Sequence, residues 1–186
     1  TFQSGNNAGL GSGQISIASG QTTESESGNI LLSAGASDIG GGGSVVMIAG
    51  TSVSATGGSI SMLSGKTAGD AAKSGNIQIK TSSSSSTGEI LLSTGSTTGG
   101  ESGGIKLSSG NSFAGNSGSI QVMAGVTLGG SGGDINILSS SSTTATGGSV
   151  GVLSGASMTG QSGSIQIGSS DSQIAGTGNI LARTGD

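Results

Sequence analysis

The sequence predicts an all-β protein, a parallel β-solenoid (β-helix) of about twelve 15-residue repeats, two to each 30-residue coil and forming two facing parallel sheets. Three columns of residues lead there: an apolar anchor about every 15 positions, a second apolar residue two places after it, and a glycine two places before it. A fixed period built on one supersecondary unit marks a chain of stacked repeats, in which neighbours bury a core that no single copy could bury alone.

The anchors are Ile15, Ile30, Val45, Ile60, Ile77, Ile90, Ile105, Ile120, Ile135, Val150, Ile165 and Ile180. Their spacing is 15 throughout except for 17 between Ile60 and Ile77 and 13 between Ile77 and Ile90, which cancel. Two places on stand Ile17, Leu32, Met47, Met62, Ile79, Leu92, Leu107, Val122, Ile137, Val152 and Ile167. Apolar side chains two apart, with polar ones between, have the period of an extended strand with one buried face, so these residues are the expected core. β-Branched Ile and Val fill the anchor column, as suits a pleated surface. The even shift at Ile77 keeps the apolar face inward, where a one-residue slip would turn it outward.

The glycines Gly13, Gly28, Gly43, Gly58, Gly75, Gly88, Gly103, Gly118, Gly133, Gly148, Gly163 and Gly178 precede the anchors and punctuate the strands with turns. Four places after the anchor the residue is small, as in Ser19, Ala34, Thr94 and Ala124. Seven places after it stands a hydroxyl: Thr22, Ser37, Ser52, Thr67, Ser84, Thr97, Ser112, Thr127, Ser142, Ser157 and Ser172. A partial copy opens the chain with Phe2, Ser4 and Gly5 in the matching columns. Loops after alternate copies differ, those after even copies more often carrying a central glycine such as Gly40, Gly100, Gly130 or Gly160, which favours the 30-residue coil over a 15-residue one. The chain reads as a single repeat domain over residues 1–186. It starts without Met and ends mid-pattern at Arg183-Thr184-Gly185-Asp186, so a segment of a longer array, or end-to-end stacking, is expected.

Glycine makes up 41 of the 186 residues, a bias that suits a flexible linker, but linkers lack apolar residues at fixed positions. The formal charge of -4 is spread without a basic run, so no nucleic-acid partner is expected. No apolar stretch approaches the length needed to cross a bilayer, and no membrane span is expected. Cysteine is absent, which removes any disulfide framework.

Signals of catalysis are sparse. Without His or Cys there is no usual triad, thiol nucleophile or zinc site, and we expect neither an enzyme nor a cofactor. Glu24 and Glu26 share a loop, where two acids are ordinarily solvated; Glu89 and Asp134 share a column but lie three copies apart. Gly40 to Gly43 suggest a phosphate loop, yet no Gly-Lys-Ser/Thr accompanies them. Gly129 to Ile137 resembles the calcium-binding nonapeptide of secreted β-rolls, in which the position of Asp134 holds the ion; the match occurs once, and Asn136 fills its apolar position.

The hydroxyl column carries three readings: a hydrogen-bonded ladder that closes each turn, a surface for O-glycans, and an ice-binding row like those of β-solenoid antifreeze proteins. Ile48, Leu63, Met123, Leu138 and Leu153, three places after their anchors, point away from the expected core and suit either scattered exposure or sideways packing of rods.

Through the recurring Gly-X-Ile-X-Leu-X-Ser-Gly octet, with Ser before it, the chain resembles the Gly/Ser/Thr-rich repeat regions of large secreted adhesins and surface-filament proteins. The resemblance implies a structural protein at the cell surface or outside the cell, part of a fibre, stalk, coat or adhesin. Its partner would be the chain itself, with glycans or ice as further surface partners. Ice binding is the alternative function.

Overall fold

The computed structural model describes residues 3–5, 11–68 and 73–185. Phe2, the apolar member of the opening partial copy, lies outside them, as does Asp186. The chain divides into two units, Thr1–Leu92 and Ser93–Asp186.

In each unit the repeat appears as a run of chain followed by a bend. The first unit bends at residues 23–25, 38–40, 53–55 and 84–86; the second at 98–100, 113–115, 128–130, 143–145, 158–160 and 173–175. Each bend starts eight residues after its anchor, except that after Ile77 it starts seven after. Within the runs, exposure alternates. The anchors range from 43% exposed at Ile15 to 60% at Ile180, and the residues two places on from 59% at Met62 to 77% at Ile167. The side chains between and beyond them are on the whole more open, from 69% at Leu181 to 93% at Leu153. That period of two belongs to an extended chain.

The runs nevertheless form no backbone ladder: among the described residues the backbone hydrogen bonds between consecutive runs are single ones at the loop mouths, such as Gly43 N–H to the Gly35 carbonyl. Among the described residues there is no helix and no β-strand, so the chain is not all-β and is not a β-solenoid. No coil of 15 or 30 residues forms, and the two facing parallel sheets are absent.

The physical reason lies in how consecutive copies meet. A Cβ built on Gly43 would lie 3.0 Å from the Cβ of Ala34; the same construction puts Gly28 at 3.4 Å from Ser19, Gly133 at 3.6 Å from Ala124, and Gly163 at 3.5 Å from Ser154. Consecutive runs thus approach through their side-chain faces, the small residue of one against the turn glycine of the next. A sheet needs a continuous ladder between neighbours about 4.8 Å apart, whereas these runs meet at one end only, with at most one backbone hydrogen bond such as that from Gly43 N–H to the Gly35 carbonyl. The two-residue slips in the period are absorbed in the loops, since Ser64 still meets Gly75 at 3.6 Å and Thr81 still meets Gly88 at 3.8 Å.

The expected core is likewise not a core. No described hydrophobic side chain is buried; the anchors and their apolar partners stay 43% or more exposed, and only Ser4, Ala49, Ser64 and Thr67 among the described residues are less open than about a third. The accessible surface is 18668 Å², against about 7,800 Å² for a compact chain of this mass.

Candidate functional site: the closed loop

The most regular polar feature of the molecule is the loop between runs. Its mouth is closed by backbone: Gly43 N–H donates to the Gly35 carbonyl at 2.9 Å, Gly58 to Gly50 at 2.8 Å, Gly75 to Gly65 at 2.9 Å, Gly148 to Ser140 at 2.8 Å and Gly163 to Gly155 at 2.9 Å. Its bend is held by the hydroxyl column. The Ser37 hydroxyl oxygen accepts the Gly40 N–H at 2.9 Å, and Ser52 accepts that of Ala55, Ser112 that of Gly115 and Ser172 that of Ala175, each at 3.0 Å. Ser142 takes Ala145 and Ser157 takes Gly160, both at 2.9 Å, while Thr97 takes Gly100 at 3.2 Å and Thr22 takes Glu24 at 3.4 Å. Short polar side chains bonding to a backbone N–H two or three residues on make local turns.

These hydroxyls therefore act inside their own copies. The hydrogen-bonding reading of the column sets each hydroxyl on nearby backbone of its own turn, and each of these bonds spans two or three residues. Ser84 and Thr127 stand in the same column without such a bond.

The chemical alternatives find no constellation in the described residues. Glu24 and Glu26 are exposed at the bend over 23–25, and Glu89 and Asp134 are exposed in their runs. No group of three acidic, His or Cys side chains is placed to hold a metal ion among the described residues. In the Gly40–Gly43 stretch the Gly40 and Gly43 amides are already bonded, to Ser37 and Gly35, so two donors that a phosphate would use are occupied. No helix among the described residues is long and apolar enough to cross a membrane. An open recess of about 570 Å³ lies along Ile165, Gln166, Ile167, Gly168, Ser169 and Ser170. Its lining comes from one run of chain only, so it is the unpaired side of a copy, with no opposing wall to enclose a small molecule.

The facing of small residue and turn glycine is the contact that column-by-column reading missed. The signal was present: both columns hold only small side chains, and nine residues separate them in most copies, as from Ala34 to Gly43.

Removing one hydroxyl tests the loop chemistry. With Ser157→Ala the exposed Gly160 amide turns to water, so its hydrogen exchange rises roughly three- to tenfold while exchange in neighbouring copies is unchanged. Ser157→Thr keeps the acceptor and leaves the rate close to that of the parent. NMR-detected exchange at Gly160 makes the measurement.

No protein-family model, curated protein or solved structure matches the chain.

Proposed function

We propose that the chain is a structural, extracellular or cell-surface protein, a repeating unit of a fibre, stalk, coat or adhesin that works by associating with further copies of itself. The observation that carries this reading is the set of extended runs whose apolar residues and backbone groups are left open along both units. An open backbone edge is a template for another chain, and exposed apolar surface this extensive marks an interaction surface. The sparse charge adds to it, since 8% charged residues leave little repulsion between copies. The surface location is supported by the octet's likeness to adhesin and filament repeats.

Ice binding would need the hydroxyl column as a free row. Eight of those hydroxyls are occupied by amides of their own loops, which favours the scaffold reading.

Electron microscopy and fibre diffraction of the concentrated protein test association. Filaments with a repeat of about 4.7–4.8 Å along the axis are expected. A protein that stays monomeric at high concentration in sedimentation, with no such reflection, would overturn the reading.

A further inference from the structure

Twelve similar copies raise a problem for any association between chains. Two chains displaced by one repeat would still match anchor to anchor and glycine to glycine over most of their length, because the spacing is 15 residues at nearly every step. Apolar columns and turn glycines therefore cannot choose between the aligned pairing and its displaced versions. Register is weakly specified when the pattern repeats without interruption.

The interruption occurs once. Eleven residues separate Ser64 from its facing Gly75, and seven separate Thr81 from Gly88, where nine is usual. The long loop keeps its closure across the change, since Gly75 N–H still donates to the Gly65 carbonyl, and after the short one Gly88 still faces Thr81 while the bend over 84–86 moves one residue closer to its anchor. A long spacing followed at once by a short one is a length pattern that no other part of the sequence repeats.

We propose that a second copy of this chain stacks on the first in full register, and that the long–short loop pair, Ser64–Gly75 and Thr81–Gly88, is the key that sets it. This rests on the self-association proposed above and names its geometry. The backbone N–H and C=O groups of each run bond to the same run of the next copy, so identical residues repeat about 4.8 Å apart. Along Ile165 to Ser170 the open recess beside a single run is the space that the equivalent run occupies. In the aligned stack the long loop lies on the long loop and the short on the short. A displacement of one repeat lays the long loop on a nine-residue one and the short loop on the long one, so surplus residues bulge and the ladder breaks on both sides.

The absence of cysteine allows a clean test, because one introduced thiol carries one spin label. The nitroxide is placed at Ser141→Cys, far in sequence from the key, and filaments are examined by electron paramagnetic resonance. Aligned stacking brings labels within about 5 Å of one another and collapses the spectrum to a single exchange-narrowed line. Dilution with unlabelled chains restores three lines. A second variant makes the period even, by deleting Ala71 and Ala72 and inserting two serines after Ser85; its filaments are expected to lose at least half of the single-line component. Filaments of the parent that give three separate lines would overturn in-register stacking while leaving association intact. An even-period variant with an unchanged single line would overturn the role of the loop pair. Absence of filaments altogether would remove the association on which both rest.

Discussion

Ile120→Asp is expected to abolish filament formation at concentrations where the parent assembles. Ile120 is about half exposed in the chain alone, so the substitution costs the single copy little. Between copies the cost is large, because each added chain places a carboxylate about 4.8 Å from the same carboxylate of its neighbour. Coulomb repulsion at that distance is about 1 kcal/mol in water and about 3.5 kcal/mol at the effective dielectric of a protein surface. Loss of the apolar contact adds to it. The critical concentration should rise at least tenfold and up to several hundredfold. Ile120→Val preserves shape and charge and should assemble near the parent value. Sedimentation of filaments against total protein measures both, and an Ile120→Asp chain that assembles like the parent would exclude the anchor column from the interface.

Gly43→Val carries the second large effect. A Cβ at position 43 would meet the Cβ of Ala34 at 3.0 Å, the Gly35 nitrogen at 3.3 Å and the Gly35 carbonyl oxygen at 3.4 Å. Two of those three atoms are backbone and cannot swing aside, so the mouth of the loop must open and the Gly43-to-Gly35 hydrogen bond must lengthen or break. Glycine is required here for want of a side chain. Its backbone is ordinary, since no described glycine has a positive φ. Overpacking of this kind costs about 1–3 kcal/mol. In a stack the defect recurs in every chain, and assembly should weaken by roughly ten- to hundredfold. Gly35→Ala is the control, because nothing lies within 4 Å of a Cβ there. Gly178→Ala, with its nearest neighbour at 3.8 Å, should also be tolerated. Equal loss of assembly in all three would show that glycine content matters and close approach does not.

Much of the local order was legible. The anchor spacing predicts where the runs fall, and the bends follow the hydroxyl column by one residue in nearly every copy. Side-chain parity survives the slips at Ile77, as the Ser64–Gly75 and Thr81–Gly88 contacts demonstrate. What the pattern could not supply was backbone pairing. A period of two states which side chains share a face; it is silent on whether the N–H and C=O edges meet another part of the same chain. Apolar residues at strand spacing usually line an intramolecular core, yet Ile30 and Leu32 remain exposed here. For the loop, the hydroxyl column and its bonding to nearby backbone are legible in the sequence, while the particular amide each hydroxyl takes is not. The short reach of a Ser or Thr side chain favours amides two or three residues away, and Ser37 with Gly40 illustrates it.

The five loops with a backbone closure are closed by atoms only eight to ten residues apart, from Gly35 to Gly43 in one copy and Gly65 to Gly75 in another. Closure therefore never depends on a distant part of the chain. Tandem duplication or loss of one unit in the gene would leave every remaining loop intact, so array length can drift in evolution without a folding penalty within the molecule. Between molecules the same change is felt at once, because two chains of different copy number cannot match along their whole length. Array length would then act as a badge of lineage, with each lineage building filaments from its own chains.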